Sequence, residues 1–455
     1  MRCATIDRDT SMDTGTTAAL DACVIGAGGS GLAAAKALHD RGLTFDCFER
    51  GSGVGGLWRY DNDNGMSAIY RSLQINTSRD MTAFADFPMP EDYPHFPRHE
   101  QIRDYLDAYV DHFGFRDRIR FRTTVEQVVP QTDGTFLVTV RPADGPAETR
   151  RYRNVLVASG HHWLPRTPEL PGTFSGQVMH AHDYRTPDGF GGRRALVVGM
   201  GNSGCDIACD LARVAERTLL STRRGAHIIP KYLFGIPLDT VCPEFIWRFA
   251  PMWLFRPAFT TVVWLNRGTL GLYGLPRPSH KVLQEHPTIS SDLPSLVREK
   301  RVIMKPDIER LDGDGVVFVD GTREPVDTII MATGYKIVFP FLDPTIIAPE
   351  ENQVRLYRHV VHPDVPGLYF IGLIQPWGAI FPLSEAQAAW VGDVITGRCR
   401  LPDRAAMNHA IDDDLERMRR RYVKSPRHTI QVDFHAYRAL VRRERRRGRG
   451  LLARV

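Results

Sequence analysis

The chain has 455 residues, 43% hydrophobic and 24% charged, with 39 glycines and a formal net charge of +5. That length allows two or three domains with their own cores, and the composition excludes a disordered or fibrous chain and fits a soluble α/β enzyme. No run of 18 apolar residues occurs, so no transmembrane anchor is expected.

Residues 1–20 are polar and carry acids, lack the basic start and apolar middle of a secretory signal, and read as a flexible tail. The segment DACVIGAGGSGLAAAKALHDRGLTFDCFER, 21–50, then reads as strand, glycine turn, Ala-rich helix and second strand. RALVVGMGNSGCDIACDLARVAERTLLSTRR, 194–224, repeats it at a constant offset of 173. Gly26, Gly28 and Gly31 form GxGxxG in the first unit, and Gly199, Gly201 and Gly204 form it in the second.

A lone GxGxxG is weak evidence, but each of these follows an apolar strand and opens a helix, the context that the motif requires. The first glycine makes the turn, the second lets backbone approach a pyrophosphate at the helix N-terminus, and the third packs helix on strand. Gly29, Asn202 and Ser203 lie in the same turns and are assigned to the cofactors with them. Two units imply two dinucleotides.

The second strands tell the two apart. Glu49 lies 18 residues after Gly31, where a carboxylate accepts hydrogen bonds from ribose hydroxyls and suits FAD. The same offset lands on Thr222, followed by Arg223 and Arg224, and guanidinium groups beside a missing acid suit the 2′-phosphate of NADPH. The predicted fold is therefore α/β with two Rossmann-like domains, the NADPH domain (166–326) inserted between two parts of the FAD domain (21–165 and 327–440). Val155–Gly160 and Ile330–Gly334 are the expected linkers, and VDTIIMATGY (326–335) and the apolar stretch 367–390 are expected to rejoin the FAD sheet.

Other patterns read as packing. FSGQVMHAHDY, 174–184, could start a metal site with His161 and His162, but no second ligand motif accompanies it and no metal is expected. Cys205 and Cys209, in CDIAC, are one residue too far apart for a redox CxxC and read as small packing residues; with Cys3, Cys23, Cys47, Cys242 and Cys399 they suggest free thiols in a reducing cytoplasm. The apolar stretch 244–275, inside a 234–290 insert, is expected to be buried or to form the contact of a homodimer, in preference to lying on a membrane surface. Asp412, Asp413, Asp414 and Glu416 are expected at a helix N-terminus. From Ala436 onward eight arginines stand against one glutamate, and with no aromatics interleaved for stacking on bases, 441–455 reads as a solvated basic helical tail that binds no nucleic acid.

These residues resemble the flavin-containing monooxygenases from about 21 to 440. GSGVGGLWRY supplies Gly55, Gly56, Leu57 and Trp58, similar to that family's GGxW near the flavin; YRSLQINTSRDMTAFADFPMP (70–90) looks like its segment with an Asn-Thr pair. Phe174, Gly176, His180 and Tyr184 match its fingerprint FxGxxxHxxx(Y/F), while MATGY and FPLSEAQAAW resemble its second linker and C-terminal flavin helix. One departure is Ala389, where many relatives carry arginine before the tryptophan.

The resemblance implies hydride transfer from NADPH to FAD, addition of O2 at the flavin C4a carbon to give a hydroperoxide, and oxygen transfer to an amine nitrogen or sulfide sulfur of a small substrate. It implies that Asn76 supplies an amide hydrogen bond to the activated oxygen, with Thr77 beside it at the nicotinamide or ribose, and that Thr333, Gly334 and Gln387 also contact cofactor. A Baeyer–Villiger oxygenase is the nearest rival, disfavoured because Tyr184-Arg185 stands where its better-known relatives have Trp-Pro. An NADPH-dependent disulfide reductase is disfavoured by the missing CxxC, and a non-catalytic flavoprotein sensor is a further alternative. His180 is expected to hydrogen-bond across the junction between the domains.

Overall fold

The computed structural model describes residues 18–241, 244, 251–423, 425 and 429–452. Most of the expected N-terminal tail, Cys3, Cys242 and residues 245–250 of the apolar stretch lie outside the described residues, as do 453–455 of the basic tail.

Ten short strands build two five-stranded, wholly parallel sheets. They are β1 (Ala22–Ile25), β2 (Phe45–Phe48), β3 (Ile119–Arg120), β4 (Val155–Val157), β5 (Gln177–His180), β6 (Arg194–Val198), β7 (Arg217–Ser221), β8 (Val302–Lys305), β9 (Thr328–Met331) and β10 (Leu368–Phe370). The helices that matter below are α1 (Gly29–His39), α2 (Asn202–Leu211), α3 (Met252–Arg267), α4 (Phe381–Ile395), α5 (Arg404–Arg421) and α6 (Phe434–Leu452). The first sheet has the order β10-β4-β1-β2-β3 and the second β5-β9-β6-β7-β8.

In each sheet the strand before the glycine turn is central and covered on both sides. Ala22 and Val24 face one core while Cys23 and Ile25 face another; Ala195 and Val197 are likewise opposed by Leu196. That double burial is why these strands read as unbroken apolar runs. An antiparallel meander precedes the inner strand on the far side of each turn, 123–152 before β4 and 308–325 before β9.

The glycines act through close approach. A Cβ on Gly26 would lie 2.7 Å from the Ala158 carbonyl oxygen and one on Gly199 2.5 Å from that of Ala332, at φ of +101° and +109°. The third glycines are tighter still: a Cβ on Gly31 would meet the Gly26 oxygen at 1.8 Å, and one on Gly204 the Gly199 oxygen at 1.9 Å. No other residue type lets helix, turn and crossing strand meet at these distances.

Three sequence expectations are corrected and a fourth is narrowed. β9, expected to return to the first sheet, pairs with both β5 and β6 in the second, so the inserted unit runs to about 334 and not to 326. All four of its residues are buried, which demands a place inside a sheet covered on both faces, and in the first sheet β4 already holds that place beside β1. The chain crosses between units where Leu164–Pro165 pairs antiparallel with Tyr335–Lys336. The 367–390 stretch does rejoin the first sheet, through β10, and α4 then packs on α1.

Of the two places expected for the apolar stretch, burial within the chain does not hold for its described helix: on and just after α3, Trp253, Leu265 and Leu272 are exposed, and Phe255 alone of the helix is buried. The acidic run lies in the middle of α5, whose N-cap is Asp403, and Asp412 and Asp414 pair with Arg355 and Arg358. Finally, the basic tail is helical but docked. Val441 and Glu444 are buried, and Arg445 and Arg449 of α6 converge with Arg41 on the fully buried Asp393 of α4 at 2.6, 2.5 and 2.8 Å. Arg41 also donates to the Ala389 carbonyl, so a guanidinium from another segment reaches the helix beside Ala389.

Burial pushes the Asp393 carboxyl up, but hydrogen bonds from Arg445, Arg41 and Arg449 outweigh it and hold it at about 2. Its contribution to stability is thus complete above the ordinary carboxylate range and fades only as pH falls toward about 2. Asp393→Asn leaves three guanidinium groups around a neutral amide and is expected to cost about 3 kcal/mol, read as a lowered midpoint of chemical denaturation at pH 7.

Candidate active site

A cavity of about 1340 Å³ runs between the two units, lined by both glycine turns, both crossing segments and the 73–77 loop. Of the residues assigned to cofactors, Gly26, Gly28, Gly29, Glu49, Gly56, Leu57, Trp58, Thr77, Gly199, Gly201, Asn202, Ser203, Gly204, Arg223, Arg224, Thr333 and Gly334 line it, as does Asn76. Two do not. Gly31 is spent on the contact of α1 with the turn, and Gln387 is fully buried, accepting from the Gly372 N–H at 2.8 Å and donating to the Tyr437 hydroxyl at 2.7 Å. Gln387 therefore acts one step back: it fixes Gly372, whose backbone lines the cavity.

The walls fit two dinucleotides. Both α1 and α2 begin at glycine N-caps, Gly28 and Gly201, without a side-chain cap or an acid in the first turn, so their leading N–H groups are left for an anion. Gly56, at φ +52°, approaches so closely that its Cβ would sit 3.0 Å from the Gly28 Cα, closing a backbone cradle. At the end of β2, buried Glu49 accepts from the N–H groups of Ala27 at 2.8 Å and Gly51 at 2.7 Å, which fixes its carboxylate beside the turn. At the end of β7 the pattern inverts: Arg224 pairs with Glu285 at 3.3 Å, and Arg223 has no ion pair among the described residues.

Asn76 sits in a loop whose capping need is met elsewhere. Ser78 caps the short helix that follows, accepting from the Met81 N–H, and the Asn76 amide makes no hydrogen bond among the described residues. Thr77 is tied to Thr82 at 2.8 Å. The Ser78 N–H donates at 2.6 Å to Asp239, whose carboxyl is raised by burial. Leu238, Asp239 and Phe259 from the insert line the cavity, with Trp377 from the stretch before α4. Nothing in these residue types marks them as lining a cavity in the sequence.

At the junction, the FSGQVMHAHDY segment behaves as packing. A Cβ on Gly176 would clash with the Asp327 carbonyl oxygen at 2.5 Å and the Phe174 ring at 2.6 Å, and Tyr184 is wholly buried. His180 accepts from the His182 N–H at 3.0 Å, and its ring lies 5.3 Å from that of Tyr335 on the second crossing segment. Burial, then the His182 charge, lowers its pKa and keeps it neutral. Among the described residues no group of three His, Cys, Asp or Glu side chains is placed to hold a metal ion. Cys205 and Cys209 are buried and form no disulfide with each other, and burial pushes Cys209 up to about 12.

Two glycine-turn units facing one cavity, one ending in a buried carboxylate and the other in arginines, define a flavoprotein of the two-dinucleotide kind. The family described as flavin-binding monooxygenase-like matches residues 20–442. Human flavin-containing monooxygenase 5 is 38% identical over 429 residues, 90% of this chain and 80% of that one. Dimethylaniline monooxygenase [N-oxide-forming] 2 from Pan troglodytes is 38% identical over 434 residues, covering 91% and 80%. The solved structure of S-allyl-L-cysteine S-oxygenase from Allium sativum superposes with a TM-score of 0.70 at 26% identity, covering 94% of this chain and 88% of that one.

The chain belongs to the flavin-binding monooxygenase family. It is an NADPH-dependent monooxygenase that uses FAD, O2 and a small-molecule substrate. Among the described residues no helix is long and apolar enough to cross a membrane.

Arg223→Ala is expected to raise the KM for NADPH about tenfold or more, as loss of one charged hydrogen bond does, while leaving that for NADH unchanged in steady-state assays.

Proposed function

We propose that the protein oxygenates a soft nucleophile, an amine nitrogen or a sulfide sulfur, of a small apolar or amphipathic molecule. The observation that carries this reading is the Asn76 amide, which lines the shared cavity and makes no hydrogen bond among the described residues, in a chain whose relatives include an N-oxide-forming monooxygenase and an S-oxygenase. When bound, FAD would supply the redox chemistry that couples NADPH oxidation to the use of O2.

The chain's own residues bind, orient and exclude water. The glycine turns receive the two pyrophosphates, Glu49 the flavin-side ribose, and Arg223 with Arg224 the 2′-phosphate. Ile75, Leu238, Phe259 and Trp377 give the Asn76 end of the cavity an apolar wall, where a hydrogen bond is stronger than in water. His161, half-buried in the cavity wall, has its pKa lowered well below the ordinary histidine value by desolvation and then by the neighbouring His162, so it is neutral at pH 7. The Asn76 amide donates to the activated oxygen and delays its loss as peroxide.

The purified holoenzyme given NADPH with a thioether or a ketone tests the class. Sulfoxide from the thioether supports it; ester from the ketone with the thioether untouched replaces it with the Baeyer–Villiger reading. Asn76→Ala is expected to raise the ratio of hydrogen peroxide to oxygenated product about tenfold, with anaerobic flavin reduction by NADPH unchanged. An unaltered ratio removes Asn76 from the chemistry.

A further inference from the structure

The loop that carries Asn76 belongs by sequence to the first unit but lies along the seam between the two. Its backbone is stitched to the first unit, where the Ile75 N–H donates to the Pro97 carbonyl at 3.0 Å and the His99 N–H to that of Leu73 at 3.3 Å. Its side chains reach the other way. The Tyr70 hydroxyl donates to Asp206 at 2.6 Å and that of Ser72 to Asp210 at 2.5 Å, both on α2, the helix that starts at the second glycine turn. Tyr70 and Leu73 pack in the core of the second unit.

One further contact acts on the peptide that aims Asn76. Lys231 of the second unit donates from Nζ to the Gln74 side-chain oxygen at 3.4 Å and to the Ile75 carbonyl at 3.3 Å. The Ile75 carbonyl and the Asn76 N–H share one rigid peptide plane, so holding that oxygen fixes the plane from which the Asn76 side chain departs. The ammonium also lies 5.2 Å from the Phe96 ring centroid, a cation–π placement that restrains it further.

Two carboxylates oppose the desolvation of Lys231 in this seam, one of them on α2. Burial lowers its pKa, and the carboxylates of Asp206 and Asp292 work against that. Asp206 is itself pushed up to about 6 by burial, against the Tyr70 hydrogen bond and the Lys231 charge, and is ionised at neutral pH. Asp206 thus serves the seam twice, as acceptor for Tyr70 and as counter-charge for the lysine over Ile75.

We infer that Lys231, backed by Asp206, is a positioning residue that sets the aim of the Asn76 amide and makes it depend on the seating of the second unit. This rests on the role proposed for Asn76. Lys231 does not line the cavity; it acts through the Ile75–Asn76 peptide. Asp206 stands one helical turn beyond Asn202, at the start of α2, so a dinucleotide seated on that N-terminus and the carbonyl before Asn76 are joined through one short rigid element.

The test uses the FAD-loaded full chain and three readouts: anaerobic flavin reduction by NADPH, peroxide released per oxygenated thioether, and thermal midpoint. Lys231→Met keeps the apolar stem and removes the donor, and is expected to raise the peroxide-to-product ratio about fivefold, the factor one hydrogen bond carries, with flavin reduction unchanged. Lys231→Arg restores a donor and is expected to restore the ratio. In the Asn76→Ala background Lys231→Met is expected to add nothing. If Asn76→Ala leaks peroxide but Lys231→Met does not, or if the two effects multiply, the inference is overturned and the Asn76 role stands. If Asn76→Ala itself does not leak, the Asn76 role fails first. Should Lys231→Met lower the thermal midpoint sharply, Asp206→Asn takes its place under the same criteria.

Discussion

The structure depends on how closely two pieces of backbone can cross. In each unit the glycine turn passes under the start of a crossing segment, Gly26 beneath Ala158 and Gly199 beneath Ala332, at separations that leave no room for a Cβ. That crossing sets the angle at which the turn's helix leaves its sheet, points the helix N-terminus into the cavity, and places the crossing segment along the cavity wall. Because the segments that lie over the turns are also the ones that join the units, phosphate cradle and interdomain junction are a single construction. A change to one glycine would be felt in the binding site and in the relative placement of the two sheets.

Around this double crossing the first unit is closed by elements that come late in the chain. α4 packs on α1, with Ser30 and Ser384 in contact at 2.8 Å and the Phe381 ring over Gly29. α6 is clamped to α4 by the arginines around Asp393. Gln387 links the same helix to Gly372 on the cavity side and to Tyr437 of α6 on the other. The C-terminal region is thus part of what keeps the first glycine turn rigid, and it supplies wall as well.

What could be read from the sequence follows from how local each signal is. The two βαβ units, the carboxylate at Glu49 and the arginines after β7 are set by short-range rules of turn sterics and phosphate chemistry, and the chain folds them as expected. β9 was misassigned because an apolar run says that a strand is buried and not which of two equivalent sheets buries it. Gln387 was placed at the cofactor because its helix is, yet its side chain turns inward to satisfy buried polar groups. The arginines of α6 looked solvated because nothing near them in sequence announces Asp393, which lies some fifty residues earlier. For α3 an apolar composition fits burial inside the chain and a contact outside it equally, and the fold leaves Trp253, Trp264 and Leu265 exposed.

The antiparallel pairing of Leu164–Pro165 with Tyr335–Lys336 means that the inserted unit hangs from two strands bonded to each other, not from one free linker. A single strand would permit swivelling about every backbone torsion it contains. A two-stranded ribbon resists torsion and shear, and leaves bending across its own plane as its softest motion. The joint therefore holds the two cradles facing one another, and the contacts of Tyr70, Ser72 and Lys231 across the seam act in the same sense.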